Sequence, residues 1–221
     1  MTRSKICGLR EPGHAVIAAD SGTDFLGFNF VHGVRRQLSE ERGHAVISEY
    51  RKLRGEGGPK LVGLFANQPL EEVNRIVGQC DIDLAQICGD EPLDYLDRVD
   101  VPVIRQVRVR ADGPGDGAVA EVLDTVSAVA DRGHMVVLDR YQAGTLGGTG
   151  LSFDWDIARE VAERYDFLLA GGLSPDNVAS AIDRVKPWAV DVSSGVETNG
   201  VKDPDKIVAF ARQVRRSDEA D

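Results

Sequence analysis

The chain has 221 residues, 42% hydrophobic and 28% charged, with a formal net charge of −10. That length suffices for one domain with a sizeable core, and the negative balance excludes a generic nucleic-acid or anionic-membrane surface. No apolar run approaches the ~20 residues of a membrane span, the start MTRSKICGL lacks the apolar core of a signal peptide, and three cysteines (Cys7, Cys80, Cys88) without ligand spacing predict a reduced cytoplasmic protein with no metal site.

Strand and helix signals alternate from the first residues. Ser4 to Cys7 reads as a short strand ending at Gly8, and Pro12 to Asp20 as a helix with Ala15, Val16, Ala18 and Ala19 on its apolar face. Phe25 to Phe30 is a second strand, followed by a loop carrying Arg35 and Arg36. A helix with an acidic first turn starts at Ser39 and runs to about Leu53. Leu61 to Phe65 is a third strand and Pro69 to Val77 a helix. Leu84 to Ile87 is a fourth strand, ending in Cys88-Gly89, with a short helix near Pro92 to Leu96. Val103 to Val107 is a fifth strand, Asp112 to Gly117 a loop, and Val119 to Asp131 a helix. Met135 to Leu138 is a sixth strand ending at Asp139, after which a glycine-rich loop runs from Arg140 to Ser152 and a helix from Asp154 to Arg164. Phe167 to Ala170 is a seventh strand, closing in Gly171-Gly172. Ser174 is placed to cap the next helix and Pro175 to open it, with Val178, Ala181, Ile182 and Val185 at helical spacing. Ala189 to Val192 is an eighth strand ending in Ser193-Ser194-Gly195. Asp203 to Val214 is a last helix, and residues 215–221 read as a frayed acidic tail.

Eight strand-then-helix units whose strands are continuous apolar runs predict buried parallel strands. In 221 residues they fit a single α/β domain, a (β/α)8 TIM barrel over residues 1–214. An open doubly wound sheet is the other architecture, but the first loop (Gly8-Leu9-Arg10-Glu11-Pro12-Gly13) lacks the G-x-G-x-x-G nucleotide signature. In a barrel, chemistry sits at the C-terminal strand ends, and a phosphate site follows strands seven and eight. The glycines and serines at those two ends, Gly171, Gly172, Ser193, Ser194 and Gly195, are small enough to bring backbone N–H groups close to an anion. The other strand ends offer Cys7, Arg36, Gln86, Cys88, Asp139 and Asp191. A thiol and a carboxylate at one mouth suggest an acid–base pair, and Lys5, two residues before Cys7, is placed to pair with Asp191 and to lower the thiol pKa. Spacing alone leaves the alternatives open. Free cysteines are commonly small buried apolar residues, a strand-end aspartate can be a turn cap, and loop arginines are usually solvated.

These residues fall in motifs. Lys5-Ile6-Cys7-Gly8-Leu9, Gly27-Phe28-x-Phe30, Val62-Gly63-Leu64-Phe65-x-Asn67 and Leu138-Asp139 are followed by Gly147-Gly148-Thr149-Gly150 with Phe153-Asp154-Trp155. Then come Leu169-Ala170-Gly171-Gly172-Leu173-x-Pro175-x-Asn177-Val178 and Val190-Asp191-Val192-Ser193-Ser194-Gly195-Val196-Glu197 with Gly200-x-Lys202-Asp203. In this order the chain, from Lys5 to about Phe210, resembles the phosphoribosylanthranilate isomerase family of tryptophan biosynthesis. The resemblance implies an aldose–ketose (Amadori) rearrangement of N-(5-phosphoribosyl)anthranilate to 1-(2-carboxyphenylamino)-1-deoxyribulose 5-phosphate. It implies Asp139 as general acid, Cys7 as general base and Arg36 as partner of the anthranilate carboxylate. Gln86 and Asp191 become substrate-binding residues, and a phosphate cradle forms from Gly148, Gly171, Gly172, Ser193, Ser194 and Gly195. It implies no cofactor, and a phosphosugar as the only partner of a monomer or homodimer. The chain departs from the family's usual pattern at Cys88, where a histidine is customary, at Arg10, and at Val34-Arg35 before Arg36. A histidine-pathway aminoaldose isomerase would want aspartates at the ends of strands one and five, where this chain has Cys7 and no carboxylate. A catalytically impaired phosphate-binding paralogue is the other alternative, and retention of both Cys7 and Asp139 argues against it.

Overall fold

The structure, a computed structural model, describes residues 1–55, 57–109, 116–140 and 155–219. Period-two alternation along short apolar strands governs it. Each strand sends one set of side chains to the barrel interior and the other to the surrounding helices. Strands β1 (Arg3–Cys7), β2 (Phe25–Asn29), β3 (Lys60–Phe65), β4 (Leu84–Ile87), β5 (Val103–Val109), β6 (Met135–Arg140), β7 (Leu168–Leu169) and β8 (Ala189–Val192) are parallel and close into one barrel. Closure is made by β8 pairing with β1, with Lys5 opposite Asp191. Ile6, Leu26, Phe65, Ile87, Leu138 and Val190 face outward into a core shared with the helices. Phe25, Val62, Leu84, Ile104, Val137 and Leu168 fill the barrel, leaving the mouth above them to polar residues.

The helices are α1 (Pro12–Asp20), α2 (Glu40–Arg54), α3 (Leu70–Cys80), α4 (Leu93–Leu96), α5 (Asp116–Ala130), α6 (Trp155–Ala162), α7 (Val178–Val185) and α8 (Pro204–Glu219). The helix expected from Ser39 is α2, and Ser39 caps it, its hydroxyl accepting from Arg42 N at 3.2 Å. Such a cap contributes about 1 kcal/mol. Among the described residues no helix is long and apolar enough to cross a membrane.

Several boundaries differ from the sequence expectation. Helix α3 continues to Cys80 because Val73, Ile76, Val77 and Cys80 form one buried face. Helix α5 already includes Asp116 and Gly117, expected in the loop. Ser174 does not cap α7. The Asn177 carboxamide accepts from Ser174 N at 2.8 Å and donates to the Gly172 carbonyl at 2.9 Å, folding Ser174 to Asn177 into a turn before the helix starts at Val178. The expected frayed tail is helical to Glu219, because the Asp218 carboxylate accepts from Thr2 N at 2.8 Å and from the Thr2 hydroxyl at 3.0 Å. A two-stranded hairpin, β9 (Glu197–Thr198) and β10 (Val201–Lys202), stands between β8 and α8. Its turn is Asn199-Gly200, both at positive φ (53° and 79°), the pairing that two-residue hairpins favour.

Candidate active site

The C-terminal mouth of the barrel holds a cavity of about 590 Å³. Cys7, Gln86, Cys88, Gln106, Asp139 and Asp191 line its floor. Arg35 and Arg36 line it from the loop after β2, and Gly171, Gly172, Ser193 and Ser194 from beyond β7 and β8. The structure therefore brings together Cys7, Asp139, Arg36, Gln86, Asp191 and most of the expected phosphate cradle. Gly148 and the glycine-rich loop around it lie outside the described residues. Gly195 is not on the cavity wall. It packs against the backbone, and a Cβ there would come within 1.9 Å of the Leu173 carbonyl oxygen. Glycine at this position is what lets the turn after β8 touch the turn after β7. Gly171 and Gly172 both have positive φ (88° and 81°), which glycine adopts without strain.

Lys5 and Asp191 form the predicted pair, Nζ to Oδ2 at 2.8 Å, both buried. Burial opposes the ammonium, but the Asp191 charge wins and holds Lys5 above its ordinary pKa. The same pairing overturns one expectation. Burial pushes the Cys7 thiol above its usual range, and the Lys5 charge offsets this only in part because Asp191 acts in the opposite sense. The Cys7 thiol is protonated in the free protein at neutral pH. Burial likewise raises Cys88 to about 12 and, on α3 away from the mouth, Cys80 to about 11.

Asp139 ends the inward row of β6. Burial raises it to about 6, against hydrogen bonds from Arg140 N at 2.8 Å and from Gln106 Nε2 at 2.7 Å. This carboxyl exchanges its proton near neutral pH, as a general acid or base must.

Arg36 is the more sheltered of the two loop arginines, with a side chain 12% exposed against 58% for Arg35. Its fork is not idle. Nε and Nη2 donate to Glu197 Oε1 at 2.6 Å and Oε2 at 2.9 Å. Glu197 also accepts from Arg35 at 2.8 Å and from Lys202 at 2.9 Å. Burial works against this carboxylate, yet Arg36 and Lys202 hold it at about 2. A guanidinium has five N–H donors, so three remain on Arg36 for a ligand carboxylate. Gly8 makes room for this side chain, since a Cβ there would lie 2.5 Å from Arg36 Cδ.

Three buried acceptors in the mouth have no hydrogen-bond partner among the described residues: Gln86 Oε1, Gln106 Oε1 and Asp191 Oδ1. Buried acceptors are normally paired, so this trio suits a ligand rich in hydroxyl and N–H donors. Ser193 does not offer its hydroxyl proton, which is donated to the Cys7 carbonyl at 3.1 Å. Among the described residues no cluster of His, Cys, Asp and Glu could hold a metal ion. The sequence motifs contain Glu197 and Lys202 without giving them a role, and Gln106 carries none either. The available signal for Gln106 is its phase, two residues beyond interior Ile104 at the mouth end of β5.

With this geometry in hand, comparison with known proteins is informative. The sequence profile of the N-(5'phosphoribosyl)anthranilate (PRA) isomerase family matches residues 4–213. The N-(5'-phosphoribosyl)anthranilate isomerase of Dehalococcoides mccartyi is 38% identical over 218 residues, covering 99% of this chain and 98% of that protein. The crystal structure of phosphoribosyl anthranilate isomerase from Thermotoga maritima superposes with a TM-score of 0.82 at 30% identity, covering 98% of this chain and 100% of that one. A phosphoribosyl anthranilate isomerase in complex with reduced 1-(o-carboxyphenylamino)-1-deoxyribulose 5-phosphate superposes with a TM-score of 0.79 at 29% identity, with the same coverage.

Proposed function

The chain belongs to the N-(5'-phosphoribosyl)anthranilate isomerase family and is an isomerase of tryptophan biosynthesis, and we propose that Asp139 and Cys7 carry its reaction across the barrel mouth. The substrate is N-(5'-phosphoribosyl)anthranilate. The Asp139 carboxyl gives its proton to the furanose ring oxygen, the C1–O bond breaks, and the anilino nitrogen lone pair forms the C1=N iminium. The Cys7 thiolate then takes the proton from C2. The C–H electron pair becomes the C1=C2 bond of an enolamine, and the iminium electrons return to nitrogen. Loss of the enol O–H proton and gain of a proton at C1 complete the ketone. With substrate bound, the Cys7 proton passes to Asp139 before the ring opens, and the positive iminium that follows steadies the thiolate, which Lys5 alone does not accomplish in the free protein. Arg36 takes the anthranilate carboxylate on its remaining N–H groups. Gln86 and Asp191 take sugar donors. Backbone N–H groups around Gly171, Gly172, Ser193 and Ser194 take the phosphate, whose binding energy holds the reacting carbons in place. The reaction needs no cofactor, and free buried cysteines suit a reducing cytoplasm.

The observation that carries this reading is Asp139, a buried carboxyl poised near 6 on the wall of a cavity shared with Cys7. The abundant free form at neutral pH carries the proton on Cys7, while the reactive form carries it on Asp139; both have the same total proton count. Thus kcat/KM rises as pH climbs through about 6 and falls only above the Cys7 pKa. Turnover can be followed by loss of anthranilate-type fluorescence. Asp139→Asn should lower kcat by ~10²–10⁴-fold and erase the acidic limb of the pH profile. Wild-type turnover in that variant would remove Asp139 from the reaction.

A further inference from the structure

We propose that Gln106 is a positioning residue that aims the Asp139 carboxyl and ties it to a sugar hydroxyl of the bound substrate. The inference rests on the acid role of Asp139. One end of the Gln106 carboxamide, Nε2, donates to Asp139 Oδ2 at 2.7 Å, and the pair is buried. The other end, Oε1, is buried on the cavity wall with no partner among the described residues. A carboxamide is rigid and planar, so fixing one end fixes the direction of the other. Asp139 Oδ1 accepts from Arg140 N at 2.8 Å, so both oxygens are held and the carboxyl plane is set. Neither hydrogen bond consumes the second lone pair of its oxygen, which leaves each free to carry the transferable proton. A ligand hydroxyl that donates to Gln106 Oε1 would relieve the orphaned acceptor and meet the acid in one alignment. A residue that only filled space would not leave a buried acceptor open beside the carboxyl it holds.

Besides Arg140 N, the groups acting on Asp139 are Lys5 on β1, Cys88 just beyond β4 and Asp191 on β8. Replacing Gln106 alters none of them, so a change in titration reports the carboxamide. The Gln106 N–H favours ionised Asp139. Its loss therefore raises the Asp139 pKa and moves the acidic limb of kcat/KM toward higher pH, by about one unit for a charge-assisted hydrogen bond. Gln106→Met keeps the length and removes both polar ends. It should lower kcat about tenfold or more, shift that limb upward, and have no further effect on kcat in an Asp139→Asn background. Should Gln106→Met fail to fold, Gln106→Asn, whose shorter arm withdraws the donor, is measured in its place. An unmoved acidic limb with kcat within about twofold of wild type, while Asp139→Asn is crippled, would overturn the positioning role alone. Wild-type turnover by Asp139→Asn would instead overturn the acid role beneath it.

Discussion

Cys7 and Asp139 share a cavity but face different difficulties. The carboxyl must hold a proton near neutral pH, and burial achieves this by lifting it to about 6. The thiol must lose one, and burial opposes that. In the proposed reaction Cys7 therefore acts as a base only with substrate present. Cys7→Ser in a Cys80→Ala, Cys88→Ala background should fold normally and lose kcat by ~10²-fold or more, because a hydroxyl is too weak a base. Iodoacetamide labelling of Cys7 in that background should still be accelerating at pH 9, since its pKa is raised above the ordinary 9.0. A labelling plateau near neutral pH would show an already ionised thiol and refute the substrate-assisted account; full activity of Cys7→Ser would remove the base itself. At this scale the motifs make Cys7, Asp139 and Arg36 legible. The sign of the Cys7 shift is not, because it depends on depth inside the barrel and on how much of the Lys5 charge Asp191 takes. Gln106 escapes motif reading because its part comes from a single hydrogen bond across two strands.

The elements that shape the mouth are tied by one carboxylate. Glu197, on β9, binds Arg35 and Arg36 of the loop after β2 and Lys202 of β10. The hairpin and the loop are thus one unit around Arg36. Its titration fixes a pH window. The folded pKa of Glu197 is depressed from 4.5 to about 2, so its contribution to stability is complete above 4.5 and lost as pH falls toward about 2. Urea unfolding should therefore show Glu197→Gln less stable than wild type near neutral pH, with the gap closing as pH drops through that window. A gap that ignores pH would mean that the charge is not what holds the unit. The hairpin turn is legible in Asn199-Gly200. Its binding to a loop more than 160 positions away is not, because no local pattern records which cation a carboxylate will meet. The eight strands are legible because each is an apolar run with a fixed phase. Helix ends are less so: α7 starts late because the Asn177 carboxamide accepts one hydrogen bond and donates another, and α8 runs long because of Asp218.

On the scale of the whole molecule, a chain of net charge −10 sets Arg35 and Arg36 on the wall of one opening, with Lys5 and Lys202 buried and paired to Asp191 and Glu197. Those two guanidinium groups offer an anionic substrate local positive charge, although the average surface repels it. The phosphate lies remote from the bonds that change. A dephosphorylated substrate should lose kcat/KM on the order of a hundredfold or more, and inorganic phosphate should compete weakly with the natural one. Equal processing of both substrates would mean that the cradle beyond β7 and β8 is misplaced. The seam of the barrel adds a consequence in time. Lys5 meets Asp191, and the Cys7 carbonyl meets Ser193, across 186 positions of sequence. A ribosome delivers Lys5 and the Cys7 thiol 186 positions before these partners. Until they emerge, a buried Lys5 would have no counter-ion, which is costly enough to keep the first strand from settling. Over those 186 positions of synthesis the growing chain thus carries the Cys7 thiol without the mouth of the barrel around it.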